Sequence, residues 1–329
     1  MQILIIGGAG YIGSHMVQLA RRAGFAVVVL DDLSSGHADA LHNVELVVGS
    51  LADRALLDDL FTRYRFAAVM HFASFIQVGE SVKEPSKYYA NNLSATLNLL
   101  DAMRKADVAS LIFSSTAAVY GNPDYHPIDE AHPKQPINPY GRSKWMVEQI
   151  LEDYDRAYGL KSICLRYFNA AGADPTGSLG ERHLPETHLI PLVLQAAAGR
   201  SSHIAVFGTD FDTPDGTCIR DYIHVVDLCD AHLLALQHLL ATRQSARYNL
   251  GNGEGYSVQQ VIDTARQVTG REIRVRNEAR RAGDPARLVA NAHRVRHELG
   301  WKPCRAALAT IIADAWQWER KYPWIVAPA

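Results

Sequence analysis

The sequence predicts an α/β fold: a doubly wound parallel sheet followed by a smaller C-terminal α/β lobe. Three observations carry this. Up to about residue 165, short continuous apolar runs alternate with amphipathic helical stretches. A glycine-rich turn directly follows the first of those runs. From about Phe168 onward the alternation loosens, and Gly, Pro and Asp become frequent.

The apolar runs lie at 3–6, 27–30, 46–48, 67–70, 111–113 and 162–165. Runs this short, without polar alternation, fit strands buried on both faces of a parallel sheet. Helix candidates fall between them, near 11–23, 53–64, 85–106 and 139–158. Strands and helices alternating at this pitch give right-handed crossovers and a doubly wound sheet. The first domain is therefore expected over 1–167. The second, over 168–329, carries loops at 173–177, 213–216 and 283–285, with helices near 188–198, 225–241, 257–269 and 305–321. Such a lobe, packed at the carboxyl ends of the strands, usually supplies the substrate side. No internal repeat or low-complexity linker interrupts the chain.

A length of 329 residues fits two domains. With 48% hydrophobic and 21% charged residues, the composition excludes disorder and fibrous architectures. The chain carries 33 basic against 35 acidic residues and no markedly basic domain, so no nucleic acid partner is expected. Eight arginines against three acids between 271 and 296 read, for the most part, as a solvated face. The four cysteines are scattered and form no CxxC pair, which fits a reducing cytoplasm rather than a disulfide framework. The N-terminus lacks the basic start of a signal peptide, and no apolar run is long enough to span a membrane. Fourteen histidines include no HExxH and no close His/Cys cluster, so no metal is expected.

The first chemical signal is Gly7-Gly8-Ala9-Gly10-Tyr11-Ile12-Gly13, between strand one and the first helix. Glycines allow the turn, the close backbone approach to a pyrophosphate and tight helix-on-strand packing. The helix N-terminus then offers free N–H groups to the anion. Asp31 closes the second strand, 18 residues beyond Gly13, where a carboxylate can take both hydroxyls of an adenosine ribose and repel a 2′-phosphate. The pattern predicts a Rossmann-type domain binding NAD rather than NADP. The bland alternative is a structural β-turn-helix unit.

The second signal is Tyr140-Gly141-Arg142-Ser143-Lys144, after Asn138-Pro139 and inside a helix candidate. Tyr and Lys four apart share a helical face. Phenol is a poor base at neutral pH, but a nearby ammonium and a cationic nicotinamide favour phenolate, which can move a hydroxyl proton while hydride goes to the cofactor. Ser114-Ser115-Thr116, at the end of the fifth strand, adds a hydroxyl for the reacting oxygen. A surface tyrosine beside a solvated lysine is the alternative.

The stretches GGAGYIGSH, HFAS, SSTAAVYG, NPYGRSK, LRYFNAAGA, ETHLIP and RDYIHVVDL, in order from residue 7 to about 290, resemble the extended short-chain dehydrogenase/reductase family. Within it they resemble the bacterial 4-epimerases of UDP-glucose and UDP-galactose. The resemblance implies NAD held by Gly7, Gly10, Tyr11, Ile12, Gly13 and Asp31. Ser50 and Leu51 lie at the adenine side, and Phe72, Ala73, Asn91 and Phe168 lie along the cofactor. Tyr140 is the base and acid, Lys144 tunes it, and Thr116 bridges to the sugar 4-hydroxyl. Asn169 reaches the substrate diphosphate. His188, Leu189, Ala205, Val206 and Phe207 line the uridine pocket. Arg220 and Arg281 clamp the diphosphate, and Asp284 takes the uridine ribose. Leu288 falls where relatives carry either a bulky tyrosine or a small residue.

Bland readings stand beside three of these. Arg220 pairs with Asp221 or Asp227, Asp284 is a turn residue, or His188 packs at a helix start. Ser50 replaces a family aspartate, Ile76 a lysine and His188 an asparagine. Ala117 and Ala118, after Thr116, stand where a 4,6-dehydratase needs an acid pair. A sugar-nucleotide dehydrogenase or reductase, other UDP-sugars (N-acetylhexosamine, pentose, uronic acid) and a nucleotide-sensing binding protein remain as alternatives. By the same resemblance, helices 85–106 and 139–158, with Leu93, Leu97 and Leu100, form a homodimer interface. Core packing explains that stripe equally well.

Overall fold

The structure, a computed structural model, describes residues 1–281 and 284–321. Gly283 of the expected 283–285 turn and the tail of the expected second domain, 322–329, lie outside the described residues.

The chain starts β1 (Gln2–Ile6), α1 (Tyr11–Arg22), β2 (Ala26–Asp31), β3 (Glu45–Val48), α2 (Arg54–Arg63) and β4 (Ala68–His71). Next come α3 (Val78–Lys83), α4 (Pro85–Tyr88), a π-helical turn (Tyr89–Ser94), α5 (Ala95–Lys105), β5 (Ser110–Thr116), α6 (Pro139–Tyr158) and β6 (Lys161–Tyr167). The later half holds β7 (Asn169–Ala171), α7 (Leu189–Ala197), β8 (Ile204–Phe207), β9 (Ile219–Arg220), β10 (Tyr222–His224), α8 (Val225–Thr242) and β11 (Ala246–Leu250). It ends with β12 (Tyr256–Ser257), α9 (Val258–Thr269), β13 (Val275–Glu278), β14 (Arg287–Leu288), α10 (His293–Leu299) and α11 (Leu308–Lys321).

Seven strands form one sheet in the order β11-β6-β5-β4-β1-β2-β3, with every pairing parallel. The six expected strands are all present. The seventh, β11, comes from beyond the expected boundary at 167/168, and so does α8, whose Leu228, Ala235 and Leu236 pack with Met16 and Val17 of α1 in the core on one face. The cofactor-side layer is thus built from both halves of the chain. β11 escapes a search for apolar runs because its sequence, ARYNL, alternates; Tyr248 and Leu250 are buried against β6 all the same.

The opposite face of the sheet is covered by α2, α5 and α6 through Leu57, Leu60, Leu99, Leu100, Val147 and Leu151. Leu100 therefore faces the core, and Leu93 packs against the same cluster. The single helix expected over 85–106 is broken by the π turn. A separate core of α7, α9, α11 and β8 fills the second lobe. A small cluster of Val119, Tyr120 and Ile128, against Trp145, Phe168 and Leu288, joins the lobes.

The position of α6 is fixed twice. At its start, Asn138 caps the helix by accepting from the Gly141 N–H at 2.8 Å, and Pro139 occupies the first turn. Along its length, Glu148 forms an ion pair with Arg166 of β6 at 2.5 Å, with both side chains wholly buried. Glu148 also accepts from Ser115 Oγ at 2.5 Å and lies 3.3 Å from Arg247 Nε of β11. Arg166 donates to the Tyr120 hydroxyl at 2.9 Å, and Tyr120 donates to Asn249 Oδ1 of β11 at 2.6 Å. One carboxylate therefore ties α6 to three adjacent strands. Removing one partner of such a pair strands the other charge in the interior, at about 3–5 kcal/mol. Glu148→Ala should lower the urea midpoint accordingly. Asp58→Ala, which breaks the exposed Lys105 pair, should leave it nearly unchanged. Similar midpoints for the two variants would remove the network from this role.

Candidate active site

The doubly wound order reverses between β1 and β4, which opens a crevice at their carboxyl ends. Nearly every residue expected at the cofactor lies just past such an end. Gly7 to Gly13 follow β1, Asp31 ends β2, Ser50 and Leu51 follow β3, Phe72 and Ala73 follow β4, Thr116 ends β5 and Phe168 follows β6.

The glycine loop is built for close approach. A Cβ on Gly13 would stand 2.0 Å from the Gly7 carbonyl oxygen, so α1 leaves the loop along a path only glycine permits. Gly10 is the N-cap of α1 and supplies no side-chain cap, and no acid occupies the first turn. The positive end of the helix is therefore open to an anion. Asp31 is buried, which raises its pKa. Its two oxygens accept from Ala9 N and Leu33 N, each at 2.9 Å, so it braces the glycine loop and keeps lone pairs for ribose hydroxyls. These features fit NAD. Ser50 Oγ accepts from Ala52 N at 3.2 Å and holds its own turn. Ile76 is partly exposed.

Thr116, Tyr140 and Lys144 come together where the first turn of α6 meets the turn after β5. Gly141 makes the approach possible, since a Cβ there would lie 2.4 Å from the Ala118 carbonyl oxygen. Lys144 is buried and donates to Ser74 Oγ and to the Ser114 carbonyl, both at 2.7 Å. Burial pulls its pKa down to about 7, against an upward pull from Glu148. Without cofactor, burial raises the pKa of Tyr140, and the Thr116 hydroxyl pulls it down. The Lys144 ammonium is held by Ser74 and Ser114.

Two residues of this shell carried no role in the sequence reading. Ser74 holds Lys144. Asn92, in the π turn, holds Phe75 N and Phe75 O at 2.9 and 3.0 Å and donates to Ser143 Oγ at 3.2 Å. Asn91 beside it donates to Asn92 Oδ1 at 3.0 Å. The quoted stretch HFAS contained Ser74, but nothing in its spacing singles out the serine.

On the second lobe, Arg220 pairs with neither Asp221 nor Asp227. Its guanidinium donates to the Ile219 and Pro285 carbonyls at 2.9 and 2.8 Å and to Asp284 Oδ1 at 3.4 Å. Two expected ligands of the substrate thus neutralise each other. Asp221 instead accepts three backbone N–H groups, from Asn252, Gly253 and Ala290, and burial raises its pKa to about 6. Arg281 stacks on Phe207, 3.8 Å from the ring centroid. Leu288 pairs in register with Arg220 and packs beside Phe168. Asn169 Nδ2 donates to the Asp221 carbonyl at 3.1 Å. Ala205 is half-buried, as is Leu189, which packs on the second-lobe core. The Val206 side chain is buried in that core, so only its backbone is left for a ligand. His188, the N-cap of α7, is drawn to Glu181 at 2.6 Å, and the carboxylates of Glu181 and Glu186 hold its pKa well above the usual imidazole range.

This arrangement defines a dinucleotide-binding oxidoreductase-type site with a second lobe suited to an anionic ligand. The family described as NAD dependent epimerase/dehydratase family matches residues 3–251. The chain is 50% identical over 323 residues to a UDP-glucose 4-epimerase of Halalkalibacterium halodurans, covering 98% of this chain and 97% of that one. The crystal structure of a UDP-glucose 4-epimerase from Brucella ovis in complex with NAD superposes with a TM-score of 0.93 at 48% identity, covering 96% and 97% of the two chains. That of the Bifidobacterium longum enzyme in complex with NAD+ and UDP gives 0.94 at 39% identity, covering 98% and 99%. The chain belongs to the NAD-dependent epimerase/dehydratase family.

The glycine loop generates a direct test. Forcing a Cβ into the Gly13 position imposes strain of about 1–3 kcal/mol, equivalent to roughly a 5- to 150-fold loss of affinity if it is felt in cofactor binding. Gly13→Ala should release much less NAD on denaturation than the unsubstituted protein does. Equal NAD content would remove the loop from cofactor binding.

Proposed function

We infer that the protein catalyses NAD-dependent 4-epimerisation of a UDP-hexose, interconverting UDP-glucose and UDP-galactose through a transient 4-keto sugar. The observation that carries this is the convergence of Thr116, Tyr140 and Lys144 at the carboxyl edge of the sheet, facing the lobe that holds Arg220 and Arg281.

When bound, NAD⁺ supplies a cationic nicotinamide that accepts hydride from C4, returns it to either face, and favours the phenolate of Tyr140. Tyr140 Oη takes the proton of the 4-hydroxyl and later gives it back. Thr116 Oγ1 hydrogen-bonds the same sugar oxygen. Lys144, anchored by Ser74 and Ser114, presents its ammonium to the cofactor ribose. Burial weakens the ammonium of Lys144, and the cationic nicotinamide is the main pull toward phenolate in this reading.

Inversion requires the ketose to turn over while its nucleotide stays fixed. Arg220 and Arg281 are the diphosphate anchors in this reading, with Asp284 on the uridine ribose and Asn169, His188, Leu189 and residues 205–207 around them. Substrate entry exchanges the Arg220–Asp284 contact for contacts to the nucleotide. Leu288, in register with Arg220, limits the room around the hexose. Ala117 and Ala118 supply no acid for water elimination, which speaks against a dehydratase.

A homodimer through α5 and α6 belongs to the same reading. It rests on Leu97 and Leu93, both half-buried, because Leu100 is committed to the core. A cytoplasmic site of action fits four cysteines that are all free, and no helix among the described residues is long and apolar enough to cross a membrane.

The test is turnover. Protein incubated with UDP-galactose should form UDP-glucose with no added cofactor and no net NADH. A requirement for stoichiometric cofactor reduction would refute the epimerase reading in favour of a dehydrogenase. Tyr140→Phe should lower kcat by about a hundredfold or more, the scale of general acid–base catalysis, while UDP affinity stays near that of the unsubstituted protein. Near-normal turnover in that variant would remove Tyr140 from its role.

A further inference from the structure

A group of metal-ligating side chains stands apart from the catalytic tyrosine, threonine and lysine. Glu181, His183, Glu186 and His188 lie on the segment leading into α7. One ligand atom from each falls within 4.8 Å of the others. Glu181 Oε1 lies 3.0 Å from His183 Nδ1 and 2.6 Å from His188 Nδ1. Glu186 lies 3.9 Å from His183 Nδ1 through Oε2 and 3.4 Å from His188 Nδ1 through Oε1. Both carboxylates are almost wholly buried, with side-chain exposures of 6% and 5%. Two carboxylates packed together in the interior need a positive charge between them.

We propose that Glu181, His183, Glu186 and His188 form a binding site for one divalent transition-metal ion of the zinc class. The donor set is two imidazole nitrogens and two carboxylate oxygens, the mixture that a borderline cation such as Zn²⁺ accepts. Ligand bonds of about 2.0–2.1 Å give a tetrahedron with edges of roughly 3.4 Å. The separations of the imidazole nitrogens from Glu181 Oε1 and from the two Glu186 oxygens bracket that edge, and a small turn of the Glu186 carboxylate would bring one oxygen to both rings. Both histidines present Nδ1 to the centre, so neutral rings can ligate together, and the two carboxylates balance the charge of the ion. Glu186 is already oriented for this, since its Oε1 accepts from Thr187 N and His188 N at 2.7 and 2.8 Å. The His188 ring keeps Nε2 outside the donor set.

The site joins the two lobes. Arg182, between the first two ligands, pairs with Asp39 at 2.6 Å, and its carbonyl lies 3.2 Å from His37 Nε2, both on the loop after β2. The His183 ring meets the Tyr11 ring edge-on at 6.5 Å, and Tyr11 opens α1 beside the glycine loop. An ion here would pin the 181–188 segment onto the cofactor side. Its role is structural, and the rival occupant is a proton on His188.

The experiment uses the intact protein with its bound NAD, dialysed against a chelator and then titrated with ZnCl₂ by calorimetry. Co²⁺ serves as a second, spectroscopic probe. The expected result is one equivalent per chain, the visible absorption of four-coordinate Co²⁺, and a higher Tm with zinc than without. His183→Ala and Glu186→Gln should each weaken zinc binding at least tenfold and abolish the Tm shift. The unsubstituted titration decides the matter even where a variant fails to fold. No zinc binding, or binding that neither substitution weakens, would overturn the site and leave the proton as its occupant. Turnover of UDP-galactose, measured on the stripped protein in parallel, reports separately on the epimerase reading.

Discussion

The chemistry on α6 hangs from the buried Glu148–Arg166 pair. A helix laid on a parallel sheet through Val147 and Leu151 alone can slide or roll at little cost, because apolar contacts are not directional. The charge-assisted bonds of Glu148 to Ser115 and Arg166 are directional and engage β5 and β6 together, while the Arg247 guanidinium of β11 lies 3.3 Å from the same carboxylate. They set the depth and rotation of the helix. One and two turns earlier, Lys144 and Tyr140 inherit that setting. Gly141 then lets the first turn sit against Ala118, and Thr116 is brought within reach of the phenol. Such a network is a weak source of net stability but a strong source of uniqueness.

The same interior shapes the acid–base groups. Burial acts in opposite directions on the two members of the Tyr–Lys pair, because it disfavours the charged form of each. It keeps the phenol protonated and draws the ammonium toward neutrality. A proton shuttle at neutral pH therefore requires a further positive charge close by, and the nicotinamide brings one only when it is oxidised. The site is poised for proton removal in the state in which hydride can also leave.

Much of this was legible in the sequence. Six strands were readable because residues buried on both faces must be continuously apolar. The glycine loop, Asp31 and the Tyr–Lys pair were readable because their spacing is dictated by the turn and by the helix. What was hidden depends on contacts between distant segments. β11 alternates polar and apolar residues, so its place in a doubly covered sheet came only from its neighbours. Glu148 looked like any helix glutamate until Arg166 was placed beneath it. Ser74 and Asn92 are small polar residues whose roles are set by Lys144 and by the Phe75 backbone. The pairing of Arg220 with Asp284, 64 positions away, was hidden because it joins distant segments. The grouping of Glu181, His183, Glu186 and His188 was hidden because it matches neither HExxH nor a close His/Cys cluster, and only the path of the 181–188 segment brings the four side chains together.

The return of the chain to the sheet at β11 makes the two lobes inseparable as modules. A cut after β6 would free a strand edge that is hydrogen-bonded from Ile163 to Tyr167 and would strip α8 from α1. Bare edges of that kind invite pairing between molecules. Sugar specificity in this architecture is therefore not exchangeable as a C-terminal cassette. New substrates must be reached by point changes in the second lobe, or by loops grafted between strands that stay in place.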